Sequence, residues 1–152
     1  MKKEEIFFAN LGEIWRDITA IEFLMRCAIA KFDNELEKFP KPPYEKGKIY
    51  KNVPKSFLIS SFQKVKSEFN KKFPKDKFPQ ELVELRNAMA HGIISQINQK
   101  SFDQLVKFRN YQKEDFKIEF QMNLEIERLM QIKKSLCELR RNLGKICNDK
   151  KI

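Results

Sequence analysis

From Phe7 onward, apolar residues fall at Phe7, Leu11, Ile14, Ile18, Ile21, Met25, Ala28 and Phe32. The steps alternate between four and three residues, the repeat of one face of a long amphipathic helix. This pattern predicts a helix over about residues 3 to 38, ended by Pro40, Pro42 and Pro43, since proline neither donates to the helical ladder nor lets the residue before it stay helical. A second row, Phe8, Trp15, Ile29 and Leu36, widens the stripe. The helix is therefore expected to be covered on more than one side.

The segment "PKPPYEKGKIYKNVP" reads as a loop, and residues 56 to 72 as a second, basic helix. "FPKDKFP" breaks it, and a third helix is expected from Gln80 to Ile97. Residues 100 to 115 carry no decisive period. In "FKIEFQM" the alternation of Phe116, Ile118, Phe120 and Met122 predicts a short edge strand. Asn123 is placed to cap a last helix, in which Leu129, Ile132, Leu136, Leu139, Leu143 and Ile146 repeat at steps of three and four. Met25, Met89, Met122 and Met130 read as core residues that fill gaps. The expected fold is all-α: a single domain over 1–152, an up-and-down bundle of four or five helices with a long N-terminal helix and at most one short edge strand.

Composition narrows the function classes. A chain of 152 residues, 34% charged and 41% hydrophobic, can bury a core without disulfide or metal staples. Cys27, Cys137 and Cys147 are odd in number and lack paired spacing, and there is one histidine. That argues against a zinc site and for a reducing cytoplasm. No metal or other cofactor is expected. The start "MKKEEIFFANLGEIW" has no uninterrupted apolar run, and no stretch reaches the roughly 20 apolar residues of a membrane span.

The net charge of +10 is concentrated. Residues 38 to 77 hold twelve lysines, no arginine and three acids (Glu45, Glu68, Asp76), with Phe57, Phe62, Phe69, Tyr44 and Tyr50 interleaved. Such a surface can neutralise phosphates and stack on unpaired bases, which makes Lys48, Lys51, Lys55, Lys64, Lys71 and Lys72 candidate RNA contacts. A solvated lysine face over core phenylalanines would leave the same pattern.

The stretch "LRNAMAHG", residues 85 to 92, holds the only histidine. At about 100° per residue, Leu85, Met89, Ile93 and Ile97 lie within about 60° of Leu82, and Arg86 falls at about 40°, inside the apolar arc. Asn87 and His91 share the opposite side, and His91 lies about 140° from Arg86. An arginine on an apolar arc needs a partner for its charge. Glu22 is one candidate, although Arg26 at i+4 is the ordinary partner for Glu22. Glu22 and Arg26 are thus either a structural pair or a support standing behind the site. A lone histidine at a helix C-terminus is also explained by the helix dipole.

Cleaving RNA without metal needs a base for the 2′-hydroxyl proton, an acid for the departing 5′-oxygen, and positive charge at phosphorus. Histidine titrates near neutrality and can fill either proton role. Arginine offers a planar fork to phosphate oxygens. One chain supplies one imidazole, so both imidazole roles require two copies of the motif. A homodimer follows.

"RNAMAH", Arg86 to His91, resembles the R-x4-6-H signature of the HEPN superfamily, with Asn87 matching the polar residue that follows the arginine. "ELRNAMAHG" is similar to that family's context, and an all-α bundle to its architecture. The resemblance covers about nine residues closely and the rest only in outline. It implies a metal-independent endoribonuclease in which two motifs form one composite site, of the kind found in toxin–antitoxin, abortive-infection and CRISPR defence. Arg86 would then bind the scissile phosphate, His91 would perform or assist proton transfer, and Asn87 would orient the histidine or the phosphate. The products would be a 2′,3′-cyclic phosphate and a 5′-hydroxyl. The implied partners are RNA, a second copy and a cognate antitoxin or regulatory protein. The alternative implied by the same resemblance is a non-catalytic module binding RNA, a nucleotide or a protein. Members silenced by a nucleotidyltransferase often carry tyrosine two residues after the histidine; Ile93 stands there.

Overall fold

The computed structural model describes residues 3–96 and 103–149. Helix α1 runs Lys3–Phe32, with 3-10 turns at Leu36–Lys38 and Lys55–Leu58 after it. Helices α2 (Phe62–Lys72) and α3 (Gln80–His91) follow. Three strands come next, β1 (Ile93–Gln96), β2 (Asp103–Gln112) and β3 (Asp115–Asn123), before α4 (Ile126–Asn148). The long N-terminal helix and the mainly helical character stand as expected, and the single edge strand does not. The strands form an antiparallel sheet in the order β1-β2-β3. The "FKIEFQM" strand does lie at its edge.

Two compact units divide the chain, and α1 and α4 each contribute to both. The described residues of Met1–Thr19 and Pro79–Glu138 form the first, and those of Ala20–Phe78 and Leu139–Ile152 the second. In the first unit the core holds Phe7, Ile14 and Ile18 of α1, Leu82, Val83, Leu85 and Ala88 of α3, Leu105 and Val106 of β2, and Leu129, Ile132 and Leu136 of α4. Lys133 on α4 reaches Asn10 Oδ1 of α1 at 2.9 Å and also pairs with Glu13. That ammonium holds the Glu13 carboxyl below its ordinary range, first by the hydrogen bond and then by charge. The second unit is centred on Ile21, Met25, Ala28 and Ile29 with Phe62, Val65, Phe69 and Phe78.

The heptad row of α1 is buried from Ile14 to Ala28, but the second row is not. Ile29 is buried, whereas Phe8 is 58% exposed, Trp15 38% and Leu36 42%. Gly12 also faces solvent, and a methyl group there would meet nothing within 4 Å. Mid-helix glycine costs about 1 kcal/mol relative to alanine. Of the four methionines assigned to the core, Met25 is fully buried, Met89 and Met122 are half-buried, and Met130 is 60% exposed.

Helix boundaries follow local chemistry more closely than the prolines. Asn34 takes φ 56°, Glu35 N–H donates to Ala30 O at 2.7 Å, and Asn34 N–H donates to Lys31 O at 3.1 Å. This pair of bonds around a left-handed Asn is a Schellman stop, so α1 ends at Phe32, well before Pro40. The helix expected over 56–72 starts later, at Phe62, where Ser61 Oγ accepts from Lys64 N–H at 3.3 Å. Asn123 caps nothing: it closes β3, and its Oδ1 accepts from Gln104 Nε2 at 2.7 Å.

The end of α4 is held by a lysine. Lys31 Nζ donates to the carbonyls of Ile146 and Cys147, each at 3.0 Å, and to that of Asp149. These are C-terminal carbonyls that no helical N–H can satisfy, and a cation there also suits the helix dipole. Lys31→Met keeps the stem and removes the charge. It is expected to cost about 2 kcal/mol in chemical denaturation, with the last turn of α4 losing hydrogen-exchange protection first.

Beside this cap, burial, and secondarily the adjacent Cys147, pushes the Cys27 thiol up to about 12. Such a thiol is protonated at neutral pH and a poor nucleophile.

Candidate functional site

Helix α3 starts after Pro79, whose φ of −66° and extended ψ turn the chain into the first turn. Its buried face is Leu82, Val83, Leu85 and Ala88, and Arg86 and Asn87 lie at the margin of that face, half-buried. Arg86 Nη1 donates to Asn87 Oδ1 at 3.3 Å, and Arg86 Nε is shielded from solvent. The arginine is thus sunk by its stem and Nε while Asn87 steadies one arm of the fork. His91 occupies the last turn and is exposed; among the described residues it makes no hydrogen bond. The motif therefore joins Arg86 to Asn87 and leaves the imidazole open.

The third helix stops at His91, short of the expected Ile97, which lies outside the described residues. Apolar positions at Ile93 and Ile97 imitate a helical period, yet Ile93 and Ile94 pair with Val106 and Leu105 in the sheet. The stop is set by Gly92. Its N–H donates to Ala88 O at 2.6 Å, and its φ of −89° is open to any residue. The reason for glycine is space: a Cβ would lie 2.4 Å from Ala88 O and 2.7 Å from Val106 O. The backbone of β2 thus packs directly against the residue after His91. Sequence reasoning marked Gly92 only as motif context, and the switch to a β-branched pair at 93–94 was the signal available.

Glu22 and Arg26 pair on α1, with Arg26 Nη2 2.9 Å from Glu22 Oε1 and both side chains largely buried. Arg26 Nη1 also donates to Ser56 O at 2.6 Å and Ile59 O at 3.0 Å. Arg26 therefore fastens the 55–58 turn to α1, a structural task inside the second unit.

The lysines proposed for RNA belong to that second unit, whereas the motif belongs to the first. Lys48, Lys51, Lys55, Lys64 and Lys71 are exposed, and Lys72 is half-buried. Several are already engaged: Lys71 with Glu68 at 2.8 Å, Lys72 with Asp33 at 2.6 Å, and Lys48 over the Tyr50 ring at 5.4 Å. Hydrogen bonds from the Lys55 backbone and the Lys38 ammonium hold the Glu35 carboxyl low, tying the start of the second 3-10 turn to the end of α1.

Phe62 and Phe69 are core residues, so neither is available to stack on a base. Tyr44, 61% exposed, is available. Lys64 and Lys71 line an open groove of about 440 Å³ with Leu58, Ile59, Ser60 and Ser67.

In the motif's own unit, the sheet adds cations not singled out from the sequence. Arg109 lies directly opposite Lys117 across β2 and β3, and Lys107 pairs with Glu119 at 2.8 Å. Among the described residues no helix is long and apolar enough to cross a membrane, and no group of three His, Cys, Asp or Glu is arranged to hold a metal ion. Comparison of the chain with known protein families, characterised proteins and solved structures finds no match.

Proposed function

We propose that the chain is a HEPN-type, metal-independent endoribonuclease that works as a homodimer. The observation that supports this most is the state of the motif on α3. An arginine is held by its neighbouring asparagine at the edge of the core, and an imidazole one turn further stands open to a ligand. In this reading Arg86 meets the non-bridging oxygens of the scissile phosphate and stabilises the extra charge at phosphorus. One His91 takes the 2′-hydroxyl proton as that oxygen attacks. His91 of the second copy gives a proton to the 5′-oxygen as the P–O5′ bond breaks. The products are a 2′,3′-cyclic phosphate and a 5′-hydroxyl. The exposed lysines of residues 38 to 77 draw RNA to the surface. A cytoplasmic toxin or antiphage effector, restrained by a cognate protein, is the setting this chemistry suits.

One observation favours a second reading. His91 has no group orienting its ring among the described residues, and a working proton-transfer histidine normally has one. A non-catalytic module that binds RNA through Arg86 and Asn87 would need none.

The purified chain is to be incubated with single-stranded RNA in excess EDTA, and the new ends tested for a 5′-hydroxyl by kinase labelling. Cleavage with 5′-hydroxyl ends is the expected result. Binding without cleavage selects the module, and ends bearing a 5′-phosphate would overturn the mechanism.

A further inference from the structure

The N-terminal half of α1 leaves a second stripe in solvent, formed by Phe8, Gly12, Trp15 and Thr19. At about 100° per residue these four fall within about 60° of one another. They lie roughly 110° around the helix from the buried Phe7, Ile14 and Ile18. An exposed phenylalanine and tryptophan thus flank the smallest residue at helical spacing. Among the described residues a methyl at Gly12 would touch nothing, yet the helix carries the glycine at its expense. A second helix crossing closely at that point accounts for it, because the side chains at the contact set how near two helices come.

We infer that this face binds the same face of a second copy, the two α1 helices crossing antiparallel at Gly12. The contact is isologous: Phe8 of each copy packs beside Trp15 of the other, on either side of the two glycines. Charge fixes the direction. Glu5 and Arg16 lie on one flank of the stripe, and both are exposed; the Arg16 side chain, 66% so, also pairs with Asp17 of its own helix at 3.2 Å. An antiparallel two-fold keeps that flank on the same side and brings Glu5 of one copy beside Arg16 of the second, twice. A parallel pair would set both acids at one end and both arginines about 16 Å away. The inference deepens the nuclease reading, on which its functional meaning rests. It names the partner as a second copy and gives the face through which it arrives, in the same compact unit as α3.

Sedimentation equilibrium on the full chain tests it. The wild type is expected to be a dimer. Gly12→Leu and Trp15→Glu are expected to weaken association by about tenfold or more, with helical circular dichroism unchanged, since leucine is the better helix former. Arg16→Glu is expected to weaken it as well, and adding Glu5→Arg to restore it. A monomeric wild type, or a dimer indifferent to Gly12→Leu and Trp15→Glu, would overturn the inference. A dimer lost in these variants while neither form cleaves RNA supports the interface and removes the nuclease. RNA cleavage undiminished in a Gly12→Leu monomer supports this face as the assembly surface and overturns the two-copy composite site of the nuclease reading.

Discussion

His91→Ala is expected to lower RNA cleavage by about 10²- to 10⁴-fold, the range in which a positioned acid or base contributes. Its unfolding midpoint should stay close to that of the wild type. The imidazole is exposed and without hydrogen bonds among the described residues, so removing it takes little from the fold. Arg86→Ala should lose activity to a comparable extent, but with some loss of stability, because its side chain is partly buried and bonded to Asn87. Mixing adds a sharper test. If each site uses an imidazole from both copies, diluting wild type with His91→Ala lowers activity with the square of the wild-type fraction after subunits exchange. A linear fall would mean that each copy works alone.

The second large effect is expected at the residue after the histidine. Gly92→Ala places a methyl group 2.4 and 2.7 Å from two backbone oxygens, one on its own helix and one on β2. Neither oxygen can move without disturbing a hydrogen-bonded ladder. Overpacking of this kind should cost about 3 kcal/mol, a fall of about 10 °C in Tm for a chain of this size. Because the strain falls where α3 hands over to the sheet, cleavage should drop as well, even where the variant remains folded. Gly144→Ala is the control: a methyl there meets open space, so a slight gain in Tm is expected. A Gly92→Ala protein as stable as wild type would mean that β2 does not approach α3 so closely.

The long amphipathic helix was readable because its core positions follow one unbroken period, and Ile14, Ile18, Ile21, Met25 and Ala28 are all buried. Its end was misread because prolines are louder in a sequence than an Asp-Asn pair, although Asn34 in the left-handed region does the stopping. The sheet was half legible. The apolar residues of β3 alternate along the sequence, yet Phe116 and Ile118 are exposed and burial alternates only from Phe120 onward, past a register shift opposite Lys107 and Phe108, and β2 mixes buried and charged residues without a simple period. At the candidate site helical geometry put the arginine inside the apolar arc, whereas it lies at the margin of the buried face, half-buried. The glycine's role did not follow from that geometry, since it depends on a strand that comes near only after folding. The basic segment carried its charge visibly, yet which aromatic rings face inward could not be read there, and Phe62 and Phe69 proved to be interior.

That same register shift has a bearing on solubility. β3 ends the sheet, and its outer rim offers an invitation to passing strands. Where Glu119 and Phe120 share one opposite residue, the ribbon twists and its hydrogen-bonding groups fall out of step. Lys117 and Glu119 also put charge on the rim's flank. Fibrillar stacking needs a flat, regular strand, and this one is bent midway, which disfavours such growth even in a crowded cell.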